Sequence, residues 1–481
     1  MTFKAKIYFI FLLLFSFKNV HADVTLPKII RSNMVLQRGQ KDAIWGDASP
    51  GEKITVSFHH QTKYATADGS GKWLVYLDKM EVSSLPSEMI IKGNNVITLK
   101  NILVGEVWLC SGQSNMEYTM RKNSKVAKTD SSKNSPIDEL DRANNPDIRI
   151  FLVTQKNLLF QDSSYSGWSI AKDSALRSFS AAGYFFGKEL YAKLHVPIGM
   201  ISAAIPGSAI EPWLSGAIKK QDDKDKPITL DESQPGKFYF KMIQPLAPFA
   251  IKGFLWYQGE TNCFQNESIE YTYKMQALIN EWRILWKNST LPFYYVQIAP
   301  FYYSKSAGKY PLTTETEPKF WEAQTLAMNI PYTGMVVIND LSNSPDDLHP
   351  RGKWEVGRRL AQWALAKDYG FNVMPSGPMY KQMKIENGKI ELEFNYVGKG
   401  LESKDGKPLT WFTIAGADGN FVPAKAVIDG HTIVVSSPSV PNPKNVRFAW
   451  SEAAQPNFFN KNGLPAAPFR TDNPLHFIAA K

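Results

Sequence analysis

Val107-Trp108-Leu109-Cys110-Ser111-Gly112-Gln113-Ser114-Asn115 reads as a short apolar strand that breaks into a tight turn carrying a serine. An apolar run without polar alternation fits a strand covered on both faces, as in a parallel sheet flanked by helices. Downstream the same unit recurs. Apolar strands at Ile148–Val153, Gly199–Ile205, Gly253–Tyr257, Phe293–Ile298 and Gly334–Ile338 alternate with helical patterns near 180–194, 268–287, 320–329 and 353–366. Ile269, Met275, Leu278, Ile279, Trp282 and Trp286 fall on one helical face. Strands regularly exchanged for helices predict an α/β fold with a parallel sheet.

Outward from this middle, the pattern changes on both sides. Residues 24–100 carry alternating stretches such as Ile54-Thr55-Val56-Ser57-Phe58, split by turns such as Ser49-Pro50-Gly51. Residues 380–481 repeat the style, with Ile390-Glu391-Leu392-Glu393-Phe394 between turn signals such as Asn387-Gly388. The expected organisation is a leader at 1–22, an N-terminal β module at 23–101, a catalytic domain at 102–370 and a C-terminal β module at 371–481, both modules being sandwich-like.

The leader reading rests on Lys4 and Lys6, the apolar run Ile7–Phe17 and the small-residue site Val20-His21-Ala22. That run is too short to span a bilayer, which needs roughly 20 residues. The sequence therefore predicts export, to the periplasm or the cell exterior, with no membrane span. The formal charge of +10 falls to about +7 once Lys4, Lys6 and Lys18 are removed with the leader. It is spread along the chain without a basic block, so nucleic acid is not an expected partner. Two cysteines, Cys110 and Cys263, supply no disulfide framework. They read as buried free thiols or as a single bridge.

In open α/β sheets, ligands bind beyond the carboxyl ends of the strands. Those positions hold Ser114, then Pro206-Gly207-Ser208, then Gln258-Gly259-Glu260, and finally Asn339-Asp340 with Asp346-Asp347-Leu348-His349. A serine becomes nucleophilic when a histidine takes its proton. Of the seven histidines, His21 lies in the leader and His59, His60, His431 and His476 lie in the β modules. His195 sits at the wrong end of the sheet, which leaves His349 as the base. Asp346 and Asp347 are the rival carboxylates for orienting it; with neither in reach, the site would be a Ser–His dyad. Gly207 suits a backbone oxyanion donor because it lacks Cβ, and Gln258 suits a side-chain donor.

The segments Gly105–Tyr118, Gly207–Trp213 (GSAIEPW), Trp256–Asn262 (WYQGETN) and Asp347–Arg359 (DLHPRGKWEVGRR) resemble the sialate O-acetylesterase family of SGNH-type hydrolases. The resemblance implies a flavodoxin-like three-layer catalytic domain and hydrolysis of acetyl esters on glycans without metal or other cofactor. It carries catalysis onto Ser114 and His349, and the oxyanion onto Ser114, Gly207 and Gln258. Gln113 departs from the acid of the common Gly-Asp-Ser turn, and Gln258 from the usual asparagine.

The expected substrate is an acetylated carbohydrate, foremost 9-O-acetyl sialic acid, with acetylxylan or another plant glycan as the alternative. Asn115, Glu260 and Arg351 are the expected substrate contacts, and Arg121 or Arg351 could pair a sugar carboxylate. A non-catalytic carbohydrate-binding protein is the reading from another class, which the Ser114–His349 placement disfavours.

Overall fold

The computed structural model describes residues 23–127, 139–153, 167–216, 235–342 and 344–479, together with position 136 and the short strands at 218–219 and 227–228. The leader reading, 1–22, lies outside the described residues.

The fold is organised by one strand of 17 residues, β1 (Val96–Gly112). Its first six residues alternate between exposed positions and partly or fully buried ones, whereas every residue from Ile102 onward is buried. The two halves have different partners. The first pairs antiparallel with Ser83–Lys92, and the second lies between parallel neighbours. These belong to the set β2 (Ile148–Leu152), β3 (Ile198–Ala204), β4 (Gly253–Tyr257), β5 (Phe293–Val296) and β6 (Thr333–Val336). The sheet order is β6-β5-β4-β1-β3-β2, parallel throughout, with Ser169–Ile170 antiparallel on the outer edge. Without the outlying β2, the remaining five strands keep the flavodoxin-like order 2-1-3-4-5.

Alternate side chains of β1 face opposite layers. Trp108 and Cys110 join a core with α2 (Ala181–Leu194) and α6 (Lys353–Lys367), following the short α1 (Ser114–Glu117). Val107 and Leu109 join the other core, with α4 (Ile269–Leu285) and α5 (Thr316–Leu326), which come after α3 (Glu260–Phe264). Large aromatics fill both layers, as in the edge-on contacts of Trp108 with Phe186 at 5.0 Å and Trp256 with Trp282 at 5.8 Å.

The N-terminal region shares its core with the parallel sheet. Ile54, Val56, Phe58, Ile91 and Leu99 belong to the same apolar core as Trp256 and Trp282. The boundary at 101/102 falls inside β1, so no linker separates the two regions. The C-terminal region is antiparallel: two four-stranded sheets and one three-stranded sheet surround a separate core that includes Leu392, Phe394, Ile414 and Phe448. Ion pairs of Arg447 with Glu315 at 2.7 Å and Arg470 with Glu322 at 2.9 Å hold it to α5 and the residue before it.

Cys110 and Cys263 are both free and buried, and they lie in opposite cores. Of the two expected states, the bridge is absent. No helix among the described residues is long and apolar enough to cross a membrane.

Candidate active site

β1 ends where the chain can turn only through a glycine. Gly112 has φ +138°, and a Cβ there would lie 2.2 Å from the Tyr257 carbonyl oxygen on β4. This close approach lets the Gln113 N–H donate to Tyr257 O at 3.0 Å and places Ser114 at the first position of α1. Ile205 N–H, at the exit of β3, donates to Gly112 O at 3.0 Å. The exits of three neighbouring strands are thereby tied together around the serine.

The chain leaving β6 returns to the same rim. His349 Nε2 stands 2.9 Å from Ser114 Oγ, across 235 residues of sequence. Both flanks of the histidine are pinned. Asn115 Nδ2 donates to Leu348 O at 3.1 Å, and Lys353 Nζ donates to Pro350 O at 2.6 Å. Lys353 also donates to Asn115 Oδ1 at 2.7 Å, while Asn115 Nδ2 donates to Glu260 Oε1 at 2.5 Å. Glu260, Asn115 and Lys353 form a buried chain beneath the Ser–His pair. The Lys353 ammonium is capped by the rings of Tyr118 at 4.9 Å and Tyr257 at 5.3 Å.

Burial sets the protonation of these groups. Desolvation lowers the Lys353 ammonium to about 7, against the pull of Glu260 and Asp347. Burial pushes the Glu260 carboxyl up. His349 is lowered from 6.5, first by burial and then by the Lys353 charge, with Asp347 opposing. A lowered imidazole is neutral at pH 7 and free to accept a proton.

Neither aspartate reaches the His349 ring. Asp346 is exposed and accepts from Ser344 Oγ at 2.8 Å. Asp347 Oδ1 accepts from the backbone N–H of His349 at 2.9 Å, and its Oδ2 lies 3.5 Å from Arg351 Nε. Among the described residues, no aspartate hydrogen-bonds the His349 ring, although the Asp347 charge still raises its pKa.

The oxyanion candidates separate. Gly207 is exposed, with φ +70°, and a Cβ there would meet no heavy atom within 4 Å. Among the described residues, the backbone N–H groups of Ser114 and Gly207 have no backbone partner. Gln258 differs from the free donor expected. It is wholly buried, and its Nε2 faces Gln113 Oε1 at 3.1 Å, Ser208 O at 3.2 Å and Asn262 Oδ1 at 2.7 Å. An amide nitrogen has two protons, so these acceptors leave none for a substrate. Gln258 joins the Gly207 turn to the serine turn. Asn262 reinforces that join by accepting from the Ile210 N–H at 3.0 Å, and Gln113 Oε1 accepts the Gly259 N–H at 3.3 Å.

The expected substrate contacts also divide. Asn115 and Glu260 are fully buried and build the frame; their polar atoms are taken up within it or enclosed beneath the rim. Arg351 keeps half its side chain in solvent, at the rim beside His349, and Arg121 is exposed. Sequence reasoning missed Lys353. Its signal is its spacing: four residues after His349, one turn along, at the first position of a helix.

A seryl hydroxyl against a neutral imidazole, above the carboxyl edge of a parallel sheet, is the arrangement of serine hydrolases, and the chain is a carboxylic ester hydrolase. Residues 104–366 match the family described as carbohydrate esterase, sialic acid-specific acetylesterase, and the chain belongs to that family. Sialate O-acetylesterase of Homo sapiens is 28% identical over 95% of this chain and 94% of its own length. The Mus musculus protein of that name is 28% identical over 76% of this chain and 78% of its own. The crystal structure of a carbohydrate acetylesterase from Xanthomonas citri is 35% identical, with TM-score 0.81, over 94% of this chain and all of that one.

Proposed function

We propose that this carbohydrate O-acetyl esterase removes acetyl groups from 9-O-acetylated sialic acid through a Ser114–His349 dyad. The observation that carries the mechanism is the 2.9 Å separation of Ser114 Oγ and His349 Nε2. Neutral His349 takes the proton from Ser114 Oγ as that oxygen attacks the acetyl carbonyl. The oxyanion is held by the backbone N–H groups of Ser114 and Gly207. His349 then protonates the departing sugar oxygen, and the acetyl group remains on Ser114. In the second half, water loses a proton to His349, attacks the acyl carbon and releases acetate with the Ser114 hydroxyl restored.

The Glu260-Asn115-Lys353 chain takes over the part an orienting acid has in a triad. It fixes the backbone on each side of His349 relative to the residue next to Ser114, so the ring is positioned through its flanks. Arg351 is the cation placed for a sugar carboxylate. A second reading, an acetylated neutral glycan such as acetylxylan, is favoured by the Asp347 carboxylate that Arg351 already faces at 3.5 Å. We also place the enzyme's work outside the cytoplasm, in the periplasm or beyond, on the strength of the leader-like 1–22.

Ser114→Ala tested on p-nitrophenyl acetate separates the mechanism from its rivals. Loss of turnover is expected, and parental activity in the variant would refute the nucleophile. Acetate release from 9-O-acetylated sialic acid against acetylated xylan then decides between the two substrate readings.

A further inference from the structure

A large cavity lies at the pole opposite the serine. It is an open cleft of about 680 Å³, within the range of roughly 300–1,000 Å³ typical of ligand pockets. The N-terminal region forms one wall, through Arg38, Met80 and Glu81. Glu106, where β1 enters the parallel sheet, and the residues leading into β4, β5 and β6 form another, and the end of α6 with the residues after it closes it. From Glu106 to Gly112, β1 runs about 20 Å at ~3.3 Å per residue. No single sugar can occupy both this cleft and the Ser114 rim.

The lining chemistry limits what can enter. Three acids, Glu81, Glu106 and Asp368, face three bases, Arg38, Lys252 and Lys367, so the cleft has no net charge. Glu106 is held by Arg38 Nε at 2.5 Å and Gln37 Nε2 at 2.9 Å, and Asp368 accepts from Tyr294 O–H at 2.6 Å. Among the described residues, Lys252 and Lys367 have no acid within ion-pair distance. An apolar guest would strip water from these groups without replacing its hydrogen bonds. A multiply charged anion would meet the acids. Adjacent sugar hydroxyls, each both donor and acceptor, suit such a lining.

A second observation concerns the rim. Tyr332 is 59% exposed, yet its backbone has φ +57°, which a bulky side chain rarely adopts. Arg283 holds the conformation by donating from Nη2 to the carbonyls of Pro331 at 2.8 Å and Tyr332 at 3.3 Å. The fold sustains backbone strain to keep an aromatic ring at the mouth of the cleft, and outliers of this kind gather at ligand sites. The Arg283 guanidinium stands 5.9 Å from the centre of the Tyr332 ring, and an aromatic ring left partly in solvent offers an apolar face to the C–H groups of a sugar.

We propose that this cleft is a second carbohydrate-binding site, taking uncharged sugar units of a glycan and tethering the enzyme to its polymer. The inference rests on the carbohydrate-esterase family and not on which acetylated sugar is cleaved. The test uses full-length Ser114→Ala protein in native gels cast with deacetylated xylan, mannan or β-glucan. At least one polymer is expected to retard the protein, and Tyr332→Ala with Lys252→Ala to weaken that retardation at least fivefold. Tyr332→Phe should keep it. The same two substitutions in the Ser114 protein should leave p-nitrophenyl acetate hydrolysis unchanged, which reports intact folding. Absence of retardation by all three polymers, or equal retardation of parent and double variant, overturns the proposal. Turnover persisting in Ser114→Ala would instead strike the nucleophile assignment and leave this result standing.

Discussion

Replacing Lys353 by Met tests whether the buried chain positions the histidine. The substitution keeps much of the apolar stem but removes the donor to Pro350 O and Asn115 Oδ1, at 2.6 and 2.7 Å. Hydrogen bonds to a charged group contribute roughly 1.5–3 kcal/mol each, so about 3–6 kcal/mol of gross stabilisation disappears. Some of that loss is offset by no longer burying an ammonium, but Glu260 stays buried, and removing one member of a buried charged network typically costs about 3–5 kcal/mol. A net destabilisation of that order is therefore expected, readable from urea midpoints, and the loop tether is gone. A displacement of about 1 Å at a reacting group costs on the order of 10²-fold in rate. We expect kcat on p-nitrophenyl acetate to fall roughly 100-fold, with KM little changed.

The pH profile supplies the part of this test that a merely structural lysine would not move. His349 is lowered partly by the Lys353 charge, so removing that charge favours the imidazolium and raises the histidine's pKa. Activity depends on the neutral ring, hence the acid limb of kcat/KM should shift to higher pH in the variant. Lys353→Arg should restore the cation and move the limb back. Unaltered kcat together with an unmoved acid limb would refute the positioning role.

Two further outcomes follow from the same geometry. Gly112→Ala places a methyl 2.2 Å from Tyr257 O at φ +138°; overpacking and backbone strain together predict a loss of about 3 kcal/mol or more, read from urea midpoints. Asp346→Asn should change kcat/KM less than twofold, because its carboxylate engages Ser344. Asp347→Asn removes a charge that raises His349, so the acid limb should move to lower pH in a kcat/KM titration.

The α/β core was legible because burial on both faces leaves an unbroken apolar run, and the helices between such runs show their faces by spacing. His349 was legible by topology, since the other histidines lie away from the carboxyl edge. Gln258 departs from the free donor expected for a physical reason. Sequence locates a residue at a strand exit but does not say whether its amide points to solvent or inward, and here Ser208 O, Asn262 and Gln113 capture it. Asn115 and Glu260 show the same limit. Both are buried, and Asn115 spends its amide on Glu260, Leu348 and Lys353, which a position after a strand does not reveal.

The least legible feature was the join at 101/102, where a change from alternating to continuous apolar pattern suggested two modules. The change marks a change of partners along one strand. Gln37 Oε1 accepts the Val107 N–H at 2.8 Å, and its Nε2 reaches Glu106 at 2.9 Å, so the N-terminal region is stitched to β1 five residues before its end. A strand held at that depth cannot slip in register without turning every side chain to the opposite layer. Trp108 and Cys110 would exchange places with Val107 and Leu109, and Gly112 would leave the position facing Tyr257 that only a glycine fills. The N-terminal sheet thus fixes the height at which the chain turns, and with it the point at which Ser114 Oγ meets His349.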